Sequence, residues 1–165
     1  MAQSNVQRRS VAKIRSVPIS ITFVETDFNQ KSWLDALIEA GFDSNLTTFI
    51  LWEGVTMYLS EEAVLESLKL VATLPEGSEI AFDYFSREFI NSEPPYEKLS
   101  KRMMKQAIKY YEEELIYGIA TRKPAREAAE KIVSSCGLRL NAFEHTQTED
   151  HPTIPLYCFA RAANQ

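Results

Sequence analysis

The chain has 165 residues, of which 45% are hydrophobic and 25% charged, and this usage indicates one globular domain with a buried core. Its net charge of −5 argues against a general nucleic-acid-binding protein, because such proteins present a basic face to the phosphates. No stretch of the sequence approaches the roughly 20 apolar residues that a membrane-spanning helix needs. We therefore expect neither a nucleic acid nor a membrane as a partner.

Residues 1–18 form a leader with four basic side chains and no acid. We expect this leader to be disordered and residues 19–165 to form the folded domain. The two cysteines, Cys136 and Cys158, lie far apart and form no CxxC pair, which is typical of a reduced intracellular chain. The expected location is the cytoplasm, and targeting to an organelle through the basic leader is the alternative.

Residues 19–84 alternate between strand and helix patterns. The runs Ile19–Thr26, Thr47–Trp52 and Glu79–Tyr84 are predicted strands, and the second is apolar throughout, as in a strand buried on both faces. Apolar residues at helical spacing fill the two intervening segments, which end near Gly41 and Gly77. Short connections between these elements predict a parallel sheet with right-handed crossovers.

The second half of the chain is predicted to be more helical. A loop over residues 86–96 precedes a long helix from Tyr96 to Ile119, and another helix runs from Pro124 to Cys136. Two closing strands, Leu138–Phe143 and Leu156–Ala160, follow. The second of them alternates weakly, so it is predicted to lie at an edge of the sheet.

Each of the three predicted parallel strands ends in an acid, namely Asp27, Glu53 and Asp83. Ligands of open α/β sheets bind at the carboxyl edge of the strands. A carboxylate there can accept hydrogen bonds from ribose hydroxyls or an adenine amine, or attract a cationic ligand. Any one of these acids would equally serve as a cap for the turn that follows it, but the set of three favours a binding site.

Other constellations are weaker. The set of His145, His151, Cys136 and Cys158 has no usual zinc spacing. None of the five glycines forms a glycine-rich nucleotide loop.

Several motifs together resemble the leucine carboxyl methyltransferase family. They are Asp27-Phe28-Asn29, Ser32 to Leu37, Ala40 to Asp43, the run from Trp52 to Leu59 (WEGVTMYL) and Phe82-Asp83-Tyr84. The resemblance implies an S-adenosylmethionine-dependent O-methyltransferase with a seven-stranded Rossmann-like sheet, which transfers a methyl group to a carboxylate or hydroxyl oxygen of a small-molecule acceptor.

The resemblance also implies roles for individual residues. Asp27 and Phe28 match the position at the adenine of the cofactor. Glu53 matches the acid near the methionine end and the donor methyl group, and Gly54 lets the backbone pass close to the ligand. The residues expected to face the acceptor pocket are Met57, Tyr58 and Asp83.

The family's first strand, with its glycine-rich loop, and its second strand have no counterpart in this sequence. The expected fold is therefore a truncated Rossmann-like sheet with a helical insertion and a C-terminal antiparallel hairpin. The two missing strands would lie between the strands that end at Asp27 and Glu53, so exposed strand edges are expected there. Such edges suit a missing N-terminal half or a second copy of the chain as a partner. The alternative function is a non-catalytic remnant that acts as an interaction or dimerisation module.

Overall fold

The computed structural model describes residues 21–27, 31–122, 124–146 and 154–164. Five strands in these ranges form one sheet: β1 (Phe49–Trp52), β2 (Glu79–Ser86), β3 (Gly118–Ile119), β4 (Leu138–Thr146) and β5 (Tyr157–Asn164). Their spatial order is β1-β2-β5-β4, and β3 pairs with the last two residues of β2. Strands β1 and β3 run parallel to β2, whereas β5 is antiparallel to both β2 and β4. The sheet thus joins a parallel half to the predicted C-terminal hairpin.

The same described ranges contain five α-helices: α1 (Trp33–Glu39), which precedes β1, α2 (Glu61–Ala72), α3 (Arg87–Ile90), α4 (Glu97–Tyr111) and α5 (Ala125–Ser135). Serine side chains cap the first two helices. The Oγ of Ser32 accepts the N–H of Asp35, and the Oγ of Ser60 accepts the N–H of Ala63. Each cap satisfies a backbone donor that the first turn of a helix leaves without a partner. No helix in the described ranges is both long and apolar enough to cross a membrane.

Helices α2 and α5 cover one face of the sheet and form the main core with it. Ile80 and Phe82 of β2 share this face with their register partners Ala162 and Ala160 of β5. The helices contribute fully buried side chains to the same cluster, namely Val64, Leu68, Val71, Ala129 and Val133. Burial of this apolar surface is the main force that holds the sheet and the two helices together.

The opposite face of the sheet is open. Phe49 and Leu51 of β1 are 59% and 66% exposed, and Phe159 of β5 is 44% exposed. No described helix packs against these residues in the main core. The prediction that the run Thr47–Trp52 is buried on both faces is therefore wrong for one of them. An apolar run predicts a strand that helices can cover on both faces, but it does not show whether the rest of the chain supplies those helices.

The first predicted strand is also wrong where it can be assessed. Residues 21–26 are irregular, and Ile19 and Ser20 lie outside the described residues, as does the leader of residues 1–18. A strand needs a neighbour to pair its N–H and C=O groups. No strand pairing in the described ranges involves residues 21–26, so the β-branched sequence alone does not produce a strand.

The long helix ends earlier than predicted. Helix α4 stops at Tyr111, because Glu112 adopts a left-handed conformation with φ of 57°. Beyond it, Leu115, Tyr117 and Ile119 are buried while Ile116 is exposed. That alternation is the period of an extended chain, and the segment leads into β3. The prediction that the helix continues to Ile119 is therefore wrong beyond Tyr111.

Two smaller predictions are also corrected. Strand β5 lies between β2 and β4, so it is central and not the predicted edge strand. Its side chains on the covered face are small, namely Cys158, Ala160 and Ala162, which lets helices approach closely. The predicted loop over residues 86–96 contains α3, whose first turn is capped by the Oγ of Ser86.

Candidate functional site

The turn after β1 is the centre of the candidate site. Trp52 is buried, whereas Glu53 and Gly54 are exposed. Gly54 has φ of +68°, a left-handed conformation that glycine adopts without a steric penalty. A short 3-10 turn, Thr56–Tyr58, follows. We refer to residues 53–58 as the site turn.

Asp83 holds the site turn from the neighbouring strand. Both of its carboxylate oxygens accept the N–H of Gly54, at 2.9 and 3.1 Å, and its backbone oxygen accepts the hydroxyl of Thr56. Asp83 is only 3% exposed, because β2 continues beyond it to Ser86. The prediction that Asp83 ends its strand is therefore wrong. Its carboxylate does not stand at the sheet rim but fixes the backbone of the turn.

Tyr157 joins this arrangement, although sequence reasoning did not single it out. Tyr157 lies on the same face of the sheet as Asp83, diagonally across the β2–β5 pair. Burial together with the neighbouring carboxylate of Asp83 raises the pKa of the Tyr157 phenol, and the charge of Glu53 adds to the same shift. The ring packs edge-on against Phe85 and Phe159, with centroid separations of 4.7 and 5.2 Å. A tyrosine at the start of a strand gives no sequence signal for this role, because Asp83 lies more than 70 positions away.

A cavity of about 310 Å³ lies on the open face of the sheet beside Asp83. Its floor is apolar and its border carries three further charged residues. The apolar lining includes Leu51, Ala81 and Phe159, and the charged border consists of Glu53, Glu144 and Arg161. A site of this kind can hold an apolar group and orient polar atoms at its margin.

A second cavity, of about 220 Å³, lies between β1, α1 and residues 24–26. Thr26 and Trp52 both line it, and these residues directly precede Asp27 and Glu53. The structure therefore brings the chain segments of the two predicted cofactor-binding acids to one cavity. Asp27 and Glu53 are both exposed. Phe28, the other residue predicted at the adenine, lies outside the described residues.

Two predicted acceptor-pocket residues differ in accessibility. Met57 is buried in a second apolar cluster with Phe89, Tyr96 and Leu115. Its backbone oxygen accepts hydrogen bonds from the amides of residues 116 and 117, so it anchors the back of the site turn. Tyr58, one residue further on, is exposed and can reach a ligand.

The histidines and cysteines of the weak zinc set are only partly described. Cys136 and Cys158 are buried free thiols, and His151 lies outside the described residues. Across the part of the chain that the structure describes, no group of three or more His, Cys, Asp or Glu side chains is arranged to hold a metal ion.

Residues 3–72 match the family model of the leucine carboxyl methyltransferases, which confirms the resemblance read from the sequence motifs. The matched segment contains Asp27, Phe28, Glu53, Gly54 and the rest of the site turn. It also contains residues 3–18, most of the predicted leader. Asp83 and Tyr157 lie beyond it.

The chain is also similar to solved structures of the same fold. One is a protein of the DUF574 family from Streptomyces avermitilis, with 16% identity, a TM-score of 0.61 and coverage of 98% of this chain and 62% of that one. Another is magnesium protoporphyrin IX methyltransferase from Synechocystis, solved with bound SAH, with 12% identity, a TM-score of 0.53 and coverage of 99% and 58%. The fold is thus that of a Rossmann-like methyltransferase sheet, and the chain spans about three-fifths of the length of these relatives.

Proposed function

We propose that the protein is an S-adenosylmethionine-dependent O-methyltransferase, or the part of one that carries the turn after its central strand. The observation that carries this proposal is the family match over residues 3–72, which includes the site turn that Asp83 holds at a cavity beside the sheet. Methyl transfer is the activity named in that family's description. The acceptor and the oxygen chemistry are part of the proposal.

In this proposal the cofactor occupies the region of the smaller cavity. Asp27 accepts a hydrogen bond from the adenine amine, with Phe28 beside the same base. Glu53 lies near the sulfonium, because a carboxylate attracts a cation at short range. The adjacency of both acids to residues that line one cavity supports this arrangement.

Methyl transfer places few demands on acid–base chemistry. The acceptor oxygen attacks the methyl carbon, the bond between carbon and sulfur breaks, and its electron pair stays on sulfur, which gives S-adenosylhomocysteine. A carboxylate acceptor has no proton to lose, whereas a hydroxyl acceptor must release one. The protein therefore acts mainly by holding oxygen, methyl and sulfur in line.

The larger cavity is the proposed place for the small-molecule acceptor. Trp52 lines both cavities, which lie on opposite faces of β1. An acceptor in the larger cavity would therefore meet the cofactor at the end of this strand, where Glu53 follows Trp52. Its apolar floor suits a hydrocarbon or aromatic body. Arg161 at its border supplies a positive charge for a carboxylate, while Tyr58 is the proposed neighbour of the acceptor at the turn.

A second candidate function is an interaction or dimerisation module without catalysis. The open face with Phe49, Leu51 and Phe159 favours it, because exposed apolar patches on a sheet mark surfaces that pack against a partner. The partner would be the missing N-terminal half or a second copy of the chain, and the outer edge of β1 pairs with no other described strand. We further propose a cytoplasmic location, supported by the two free thiols; fractionation of cells would distinguish it from an organelle.

Calorimetric titration of the whole chain with S-adenosylhomocysteine tests the enzyme proposal. We expect micromolar binding that is lost in Asp27→Ala and in Glu53→Ala. Glu130→Ala is the matched control, because Glu130 is an exposed acid on α5 away from the site, and its affinity should equal that of the wild type. If the wild type binds nothing while sedimentation shows a dimer, the module proposal replaces the enzyme proposal.

A further inference from the structure

The site turn projects from the end of β1 and is held at two places. At its back, the backbone oxygen of Met57 accepts the amides of Ile116 and Tyr117, at 2.8 and 3.2 Å. At its front, the amide of Gly54 donates to the carboxylate of Asp83 and to no other side chain within the described ranges. The position of Glu53 therefore depends on the orientation of one carboxylate.

The surroundings of that carboxylate offer one further donor. Asp83 is almost fully buried, and a buried carboxylate is costly unless donors surround it. Tyr157 of β5 lies diagonally across the β2–β5 pair on the same face of the sheet, and the packing of its ring against Phe85 and Phe159 fixes the direction of its hydroxyl. A hydrogen bond from this hydroxyl would keep the carboxylate from rotating away from Gly54.

We infer that the Tyr157 hydroxyl donates a hydrogen bond to Asp83, and that the two residues form a positioning pair, which sets the conformation of the site turn and so places Glu53 and Tyr58 for a bound ligand. The inference deepens the proposed function and rests on it for the identity of that ligand. Both oxygens of Asp83 already bond Gly54, so the pair acts through the turn and not by direct contact with the reacting atoms.

The variant Tyr157→Phe tests the pair with little disturbance, because it removes the hydroxyl and keeps the packed ring. Tyr84→Phe is the matched control. Tyr84 is the next residue after Asp83 and points to the covered face, where its hydroxyl is buried without a hydrogen-bond partner in the described structure. The two variants make the same chemical change on opposite faces of the sheet.

We expect Tyr157→Phe to weaken S-adenosylhomocysteine binding by about tenfold, the lower end of what the loss of one hydrogen bond to a charged group predicts, and Tyr84→Phe to leave it unchanged. The second measurement is hydrogen exchange of the Gly54 amide by NMR, which needs no ligand. Exchange at Gly54 should be several-fold faster in Tyr157→Phe and unchanged in Tyr84→Phe. Asp83→Asn, which keeps the shape and removes the charge, should accelerate exchange as well.

The outcomes separate the two proposals. Unchanged Gly54 exchange in both Tyr157→Phe and Asp83→Asn would overturn the positioning pair, whatever the binding data show. Faster exchange with no binding by the wild type would support the pair as a device of the turn and would count against the cofactor proposal. Equal effects of Tyr157→Phe and Tyr84→Phe would show a general loosening of the sheet and would also overturn the inference.

Discussion

The buried carboxylate of Glu88 on α3 accepts three hydrogen bonds from Thr121, two from the backbone amide and one from the hydroxyl, at 3.1 to 3.2 Å. It also accepts the amide of Arg122 at 3.1 Å. These bonds tie the chain that follows β3 to the helix that follows β2. Glu88 thus belongs to the scaffold of the fold and not to the candidate site.

Replacing Glu88 with Ala should lower the free energy of unfolding by about 2–4 kcal/mol, because the buried donors of residues 121 and 122 would lose their acceptor. Denaturant unfolding followed by circular dichroism measures this change. Glu93→Ala is the control: Glu93 also contacts Arg122, but at an exposed position, where a pair is worth about 0–1 kcal/mol. Similar costs for both variants would contradict the scaffold role of Glu88.

Substitution of either of two glycines by alanine should lower the stability, but for different reasons. In Gly54→Ala, the new Cβ meets no atom within 4 Å, but the residue has φ of +68°, so the cost should be a backbone strain of about 1–2 kcal/mol. In Gly118→Ala, the backbone is ordinary, but the Cβ would lie 2.8 Å from the backbone oxygen of Phe85. Overpacking of this kind costs about 1–3 kcal/mol.

Asparagine separates these two causes, since it tolerates left-handed backbone better than alanine. Gly54→Asn should recover part of the stability that Gly54→Ala loses, whereas Gly118→Asn should be at least as unstable as Gly118→Ala. Thermal melting of the four variants gives the comparison. If asparagine rescues position 118, the close approach of β3 to Phe85 is not what limits that site.

Much of the scaffold could be predicted from the sequence because its signals are local. Ser60 before a helical apolar pattern predicted α2, and the strand pattern from Glu79 predicted β2. The helical crossover between β1 and β2, with its short connections, predicted that these two strands pair in parallel. The resemblance to the methyltransferase family rested on local motifs too, and the family match confirms it.

The parts that could not be predicted depend on partners distant in sequence. Residues 21–26 have the composition of a strand, but no described strand pairs with them. Phe49 is a residue type typical of a core, but it is exposed. The sequence predicts Asp83 at the sheet rim because acids often end strands, while in the structure its carboxylate accepts the amide of Gly54 from the neighbouring strand. None of these relationships is contained in a short window of sequence.

The open face should govern self-association. Leu51→Lys places a charge on an exposed edge-strand residue, a device that blocks edge and face contacts between chains. Because Leu51 is two-thirds exposed, we expect less than about 1 kcal/mol change in the free energy of unfolding but a clear drop in the sedimentation-average mass if chains associate here. Glu130→Lys, an exposed change on α5, which covers the other face of the sheet, is the control. Unchanged association in Leu51→Lys would place the contact elsewhere.

Stability should fall in alkaline solution because buried thiol and phenol groups resist ionisation. Burial raises the pKa of Cys158 from 9.0 to about 12, and burial also raises the pKa of the Tyr84 and Tyr117 phenols. The unfolded chain releases the thiol proton near pH 9 while the folded chain keeps it, so the unfolded state binds fewer protons above that pH. The contribution of the protonated Cys158 thiol to the free energy of unfolding is therefore complete below about pH 8.5 and is lost as pH rises toward 12. Each such group lowers the free energy of unfolding by up to about 1.4 kcal/mol per pH unit.

Cys158→Ala removes one of these groups and provides the measurement. Unfolding free energies between pH 8 and pH 10 should decline less steeply in the variant than in the wild type, because the tyrosines begin to contribute only near pH 10. The cavity that Cys158→Ala leaves lowers the free energy of unfolding by a similar amount at every pH. The diagnostic quantity is therefore the change of the unfolding free energy with pH and not its absolute value. Ser135→Ala, a change beside the other thiol, should keep the wild-type slope. Identical slopes for Cys158→Ala and the wild type would mean that the thiol of Cys158 ionises as easily in the folded chain as in the unfolded one.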